Sequence, residues 1–597
     1  MPSSTSVAWL RVAHRTDTAT QPDIARLVAG LEPAQMEAVL ADAPVVCVLA
    51  GAGTGKTKVL TLRVARRILD ASAHPGHVLV CTFSRKAAEE LRGRLFTLGV
   101  GREVDAGTFH RTALRLIAHH CHDRAQATPT IVADRRPLLA ELLDQSHSTS
   151  RQRTDPNRRS RAARAELEPV ARRSDAARLD AEIGWAKSRL VGPSGYEEAA
   201  REASRRTFLP AARVADLYAR YEEARRRRRL LDLDDLVWHC GDLLEQEPAF
   251  ARAIRWWHRH LFVDEMQDLS DAQYRLLRLL AGDTPDLFVV GDPNQSVYGW
   301  NGADPELLHR MTEEFAGTRV VRLETNHRCT TPVVQLASAA LGRATPPPSA
   351  RGDGPLPTVA RLANDVEEAR WVARQVWIAH RPGRRWSSIA VLARTNAQLV
   401  RIAEALGDEH VPHRISGAEL GPASDVRGAR DDPGAADPGA ADLVTGDRPG
   451  PLRSELAVCD AYASPHVDAP DDAVVLSTFH RAKGLQWRTV FVVGASDGLV
   501  PLVAARSNAA KAEERRLFYV ALSRAEEELT CTWALRPGAA TAADEAPERR
   551  ASPWLAPLEH TLQELRHGSA DASPARTAQH LAEMRGLLSS PSLGATT

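Results

Sequence analysis

The sequence predicts an α/β protein built on parallel sheets with helices on both faces. The run Val45-Val46-Cys47-Val48-Leu49-Ala50 is short, continuous and apolar, as a strand covered on both faces must be. It empties into Gly51-Ala52-Gly53-Thr54-Gly55-Lys56-Thr57, and a helical pattern follows from Lys56 to Leu69. Similar apolar runs recur at 78–81, 261–263 and 287–290, with helical patterns between them. That alternation is the signature of a parallel sheet, whose chemistry gathers at the carboxyl ends of its strands.

Length and composition narrow the field. A chain of 597 residues has room for several domains, each with its own core. Its 77 basic and 76 acidic side chains nearly cancel, so any nucleic-acid surface is local. The seven cysteines (47, 81, 121, 240, 329, 459 and 531) are scattered, which argues against a zinc site, an iron–sulfur cluster or a disulfide framework. There is no run of eighteen apolar residues for a membrane span and no apolar leader near the first residues. A cytoplasmic protein is expected.

Each strand ends in residues with a use. The glycines after the first strand let backbone N–H groups cradle phosphate oxygens. Lys56 reaches the β/γ-phosphates and the Thr57 hydroxyl faces Mg²⁺. Ala50 stands where the strict loop pattern has Gly. The strand at 261–263 runs into Asp264-Glu265-Met266-Gln267-Asp268, a metal-holding carboxylate beside one able to polarise water. The strand at 287–290 leads to Gln295, a γ-phosphate sensor candidate, and to Tyr298 and Trp300, aromatics suited to base stacking, with core packing of the Trp an equal alternative from this segment alone. Between the sheet segments lies a helical, Arg-rich stretch. Arg151 to Arg173 holds eight arginines against three acids, and Arg225 to Arg229 is an unbroken run of five. Such runs are usually solvated helix faces; beside a phosphate-binding core, a contact to a nucleic-acid backbone is the preferred reading.

The motifs, taken in order over about 30–565, resemble those of UvrD/Rep/PcrA-like superfamily 1A DNA helicases. Leu31-Glu32-Pro33-Ala34-Gln35 resembles the adenine-reading segment, which makes Gln35 the base-recognition residue. The family's own phosphate loop accepts Ala at position 50. Thr82-Phe83-Ser84-Arg85-Lys86 and Gly107-Thr108-Phe109-His110 look like its strand-contacting motifs, implying DNA contacts by Thr82, Phe83, Thr108 and His110. Leu231 to Leu236 resembles the re-entry into the ATPase core. Leu323 to Arg328 and Glu513 to Ala525 resemble the motifs that supply arginine fingers, here Arg328 and Arg524. Ala393-Arg394-Thr395-Asn396 and Ser477-Thr478-Phe479-His480 look like further DNA motifs, implying Arg394, Asn396, Thr478 and His480. The resemblance implies two RecA-like domains closing on ATP and Mg²⁺. It also implies 3′ to 5′ movement on single-stranded DNA or at single/double-strand junctions, in repair, replication or recombination. A translocase that strips proteins without unwinding is the alternative, and a non-catalytic DNA-binding subunit is disfavoured by the intact Lys56, Glu265, Arg328 and Arg524.

Some positions depart from the family pattern. His327 stands for a stacking Tyr, Gln486 for a Glu near the ribose, Lys58 for an Arg after the loop, and Asn301 for an Arg beside Trp300. The expected organisation is an N-terminal extension (1–29), a first RecA-like domain (30–115 and 225–318) and a helical insertion, 1B (116–224). A second RecA-like domain follows (319–416 and 471–565), interrupted at 417–470 where the family carries a 2B domain. Residues 421–450 hold six Gly, four Pro, six Ala and six Asp, too polar and flexible a composition for a core, so a linker is expected there. A shorter linker is expected at 344–355, and a disordered tail at 566–597.

Overall fold

The computed structural model describes residues 24–151, 161–299, 302–304, 306–416, 472–538 and 548–567. Trp300, Asn301, the stretch 417–470 and nearly all of the expected extension and tail lie outside the described residues.

Two all-parallel sheets of six strands organise the chain. The first contains β1 (Val45–Ala50), β2 (Val78–Thr82), β3 (Asp105–Thr108), β6 (His260–Val263), β7 (Leu287–Gly291) and β8 (Arg319–Leu323), in the order β3-β2-β6-β7-β1-β8. Alternate residues of β1 feed two separate cores. Val45 and Cys47 pack with Phe109, Leu236 and Leu276 on one face; Val46 and Val48 pack with Val59, Leu60 and Leu91 on the other. Burial on both faces is why the strand reads as an unbroken apolar run.

β8 corrects the expected boundary at 318. Its backbone pairs with β1, Val46 opposite Arg319 through Ala50 opposite Leu323, so the first sheet continues past that point. β8 is an edge strand with exposed residues at 319, 320 and 322. It therefore lacks the continuous apolar run that marked its neighbours.

The insertion leaves and rejoins the first domain through a two-stranded ribbon, β4 (Thr130–Val132) beside β5 (Leu230–Asp232). Its helices are joined to the domain by buried ion pairs. Lys187 Nζ lies 2.8 Å from Glu222 and 2.7 Å from both Asp232 and Asp235. The Arg225–Arg229 run is largely neutralised within the fold. Arg225 pairs with Glu222 and Asp235, Arg226 and Arg227 with Glu223, and Arg228 with Glu141. The phosphate-contact reading of that run is corrected accordingly.

The second sheet, in the order β11-β12-β10-β13-β14-β9, contains β9 (Thr358–Asn364), β10 (Ile389–Ala393), β11 (His413–Ile415), β12 (Val474–Thr478), β13 (Trp487–Val493) and β14 (Ala525–Arg536). Helices Thr331–Leu341 and Asn508–Leu522 cover one face, and Asp365–Ala379 and Asn396–Asp408 the other. The segment 344–355 is packed and not a linker: Pro348 O accepts from Asn326 N, and Gly352 O from Thr331 N.

Candidate functional site

The carboxyl ends of β1, β6 and β7 open into a cleft of about 680 Å³ between the two sheet domains. Gly53 and Gly55 take positive φ, 73° and 88°, which coils the loop before helix Lys56–Leu69. Among the predicted nucleotide contacts, Gly51 through Lys58, His327 and Gln486 line this cleft. Ala50 sits just behind, its carbonyl accepting from Lys56 Nζ at 3.3 Å. Gln35 is buried beside the loop. Its amide donates to Thr54 O at 2.9 Å and lies 3.2 Å from His327 Nε2, so the expected base-reading pair already touches.

Thr57 Oγ1 donates to Asp264 Oδ2 at 3.3 Å, joining the loop to the end of β6. Hard oxygen donors at the end of a phosphate loop fit a divalent cation. Glu265 is held at φ 52°, a left-handed conformation that is costly for a side chain with a Cβ and is found at functional sites. Burial, with Glu265 alongside, raises the Asp264 carboxyl to about 7. Burial also opposes ionisation of Glu265, but Lys56 and Lys483 outweigh it and hold that carboxylate low. The two lysines thus favour the charged form of Glu265, which a water-polarising group requires.

A hydrogen-bonded series crosses from these carboxylates to the second domain. Gln267 Nε2 donates to Glu265; Gln267 Oε1 accepts from Asp292 N at 2.8 Å; Gln295 Nε2 donates to Asp292 at 2.6 Å; and Arg524 Nη2 lies 3.4 Å from Gln295 Oε1. Arg524 is 1% exposed and its hydrogen-bond partners are the neutral oxygens of Val520, Leu485, Gln295 and Ser523. Burial, then the neighbouring Arg328 guanidinium, lowers its pKa to about 9. A buried arginine beside the half-buried Arg328, with only neutral oxygens as hydrogen-bond partners, forms a site that is stabilised by an incoming anion.

Three residues given no role from sequence complete the cleft. Asn326 Nδ2 donates to Ala52 O at 2.9 Å, while its Oδ1 accepts from the N–H groups of Arg328 and Cys329. Lys483 pairs with Asp268 at 2.6 Å across the domains. Gln267, fully buried, bridges the ends of β6 and β7. Each stood inside a recognisable motif, but its partner lies far away in sequence or on another strand.

The expected DNA residues divide between two further clefts. Phe83, Thr108 and His110 line one of about 160 Å³. Tyr298, Arg394, Thr478 and His480 line another of about 640 Å³. Phe83 and Tyr298 stack on each other, centroids 4.9 Å apart at 21°. Arg394 is held by Glu514 through two bonds to its guanidinium. Burial, then Arg394, lowers the His480 pKa to about 4, so its ring is neutral at physiological pH. Thr82 is fully buried and lines neither cleft; Asn396 is exposed at the start of its helix and also lines neither.

Comparison with known proteins matches residues 31–316 to the UvrD/REP helicase N-terminal domain and residues 321–420 and 462–536 to the UvrD-like helicase C-terminal domain. The chain belongs to the UvrD/REP helicase family. It is similar to ATP-dependent DNA helicase UvrD2 of Mycobacterium tuberculosis, with 33% identity covering 85% of this chain and 79% of that protein. DNA helicase II of Escherichia coli is 31% identical over 66% of this chain and 52% of its own length. The PcrA helicase of Leuconostoc citreum is 30% identical over 66% and 50%. Family membership makes the protein an ATP-hydrolysing enzyme of the DNA-helicase class, and gives the glycine loop and the facing arginines their context. Among the described residues no helix is long and apolar enough to cross a membrane, and no His/Cys/Asp/Glu group forms a metal cluster.

Proposed function

We propose that this UvrD/REP-family enzyme is a Mg²⁺-requiring motor that moves 3′ to 5′ along single-stranded DNA and opens duplex at junctions. Repair, replication or recombination is its setting. The observation that carries this reading is the continuous series from Glu265 through Gln267, Asp292 and Gln295 to Arg524. It makes the geometry around the γ-phosphate depend on how the two domains meet. Thr57 and Asp264 would hold Mg²⁺, which supplies charge neutralisation at the phosphate oxygens. Lys56 binds the phosphates, Glu265 orients and polarises the attacking water, and Arg328 and Arg524 stabilise charge on the transferring group. Gln35 and His327 hold the base. Closing on ATP and reopening after hydrolysis changes the spacing of the two DNA clefts, which converts turnover into steps.

A tailed-duplex assay tests this. Unwinding of a 3′-tailed but not a 5′-tailed duplex is expected; equal or reversed preference would overturn the polarity. A second reading, translocation that displaces bound proteins without processive unwinding, is favoured by one feature. The C-terminal family match breaks between 420 and 462, across the Asp-Pro-Gly-Ala-rich stretch where relatives are expected to carry 2B. Streptavidin displacement from single strands with no strand separation would select that reading.

A further inference from the structure

At the amino ends of β2 and β6, the edge of the first sheet opposite the nucleotide cleft, lies an aromatic and basic patch. Helix Pro248–Trp257 ends there in Trp256 and Trp257, which are 61% and 53% exposed. The His77 ring, on the neighbouring turn Pro75–His77, stands edge-on to both indoles, with centroids 4.8 and 5.5 Å away. Its Nδ1 lies 2.9 Å from Trp257 O, which fixes the turn against the helix end. Arg259 sits 5.4 Å from the Trp256 centroid, and the exposed His74 flanks His77.

The local charge has one sign. Residues 248–260 hold three arginines and two histidines and no acid. Arg252 and Arg259 are exposed, and neither forms an ion pair among the described residues. The nearby carboxylates are already engaged: Asp286 by Arg67 and His260, and Asp105 by Arg115. The second domain offers a contrast. Trp377 is equally exposed, at 61%, but Arg374, one turn before it on its helix, pairs with Glu409.

Exposed indoles beside unpaired guanidinium groups suit a ligand with flat apolar faces and a regular negative charge. We propose that Trp256, Trp257, His77 and Arg259, with Arg252, form a secondary single-stranded DNA site. Bases stack on the indoles and phosphates meet Arg252 and Arg259. The site is separated from the nucleotide-side clefts by the length of β2 and β6, roughly 15 Å, and it serves strand outside the motor track. This rests on the DNA-motor reading for the presence of the strand, but not on its polarity or chemistry.

The test uses the full-length protein with oligothymidines carrying 5-iodouracil, short enough to fill one track or long enough to reach both. With the long probe, photocrosslinks are expected on the peptide holding Trp256 and Trp257 as well as on those holding Phe83 and Tyr298. W256A/W257A should bind the long probe about tenfold more weakly, with short-probe binding and its stimulated ATPase unchanged. R252Q/R259Q should flatten the salt dependence of long-probe binding. W377A should behave as the wild type. Crosslinks confined to the Phe83 and Tyr298 peptides, or an equal effect of W377A, would overturn the proposal and leave the motor reading intact. So would a change in sedimentation of W256A/W257A without a change in DNA binding, which would make the patch a protein interface. Crosslinks on none of these peptides would overturn both readings.

Discussion

At Gly53 a methyl group would sit 2.7 Å from Arg328 Cβ and 2.8 Å from Asn326 Oδ1, on a backbone at φ 73°. The glycine is therefore needed for more than phosphate contact: it lets the second domain's arginine approach the loop. Gly53→Ala is expected to weaken ATP binding at least tenfold, measured by titration with a fluorescent ATP analogue, since the left-handed penalty alone is about 1–2 kcal/mol. Arg524→Ala should lower DNA-stimulated kcat by on the order of 10²–10³ while leaving KM for ATP within a few fold. A raised KM with kcat unchanged would instead mean that the side chain binds the ground state and the transition state alike. At this scale Lys56, Asp264 and Glu265 were legible from the strand ends they follow, and Arg328 and Arg524 through the resemblance of their motifs; the structure brings all five to one cleft. Asn326, Gln267 and Lys483 were less legible: their functions are relations between distant segments. The same holds for Arg394, whose charge proved to be answered by Glu514.

At the scale of elements, the buried strands β1, β2, β6 and β7 announced themselves, and the helix at 56–69 fell where its pattern put it. The edge strand β8 did not, since half-exposed edges carry no apolar run. The basic run at 225–229 misled for a related reason: its acids, Glu141, Glu222, Glu223 and Asp235, come from other turns and other helices. The cluster around Lys187 locks the insertion to its base. Lys187→Met should destabilise the protein by about 3–5 kcal/mol, as removing one partner strands buried carboxylates; urea denaturation followed by circular dichroism measures this. His480 gives a pH test. Its folded pKa, about 4, lies below the ordinary value of 6.5, so the unfolded chain binds the extra proton first. The stability it contributes is whole above pH 6.5 and is lost as pH falls from there toward 4. Melting temperatures of His480→Gln should therefore fall less between pH 7 and pH 4.5 than those of the wild type.

For the molecule as a whole, the nucleotide cleft is a property of two domains and belongs to neither alone. Lys483 to Asp268, Glu513 to Gly299 N and Arg516 to Ser296 O are among the polar ties that cross between them, beside Asn326 to Ala52 O and Arg524 to Gln295. Arg524 buried beside Arg328 adds an unfavourable term that, on the proposed function, a triphosphate would remove. A non-hydrolysable ATP analogue with Mg²⁺ should thus raise the melting temperature and draw the domains' unfolding into one transition by calorimetry; EDTA should undo the shift. The pairing of the two lobes was legible only through the ordered series of motifs, since neither lobe's own residues reveal what faces it. The central claim, that Glu265 performs hydrolysis in a site assembled from both domains, is tested most directly by the DNA-stimulated ATPase rate of Glu265→Gln against wild type. The account predicts a fall of at least about 10²-fold with ATP and single-stranded DNA still bound; equal rates in the two proteins would contradict it.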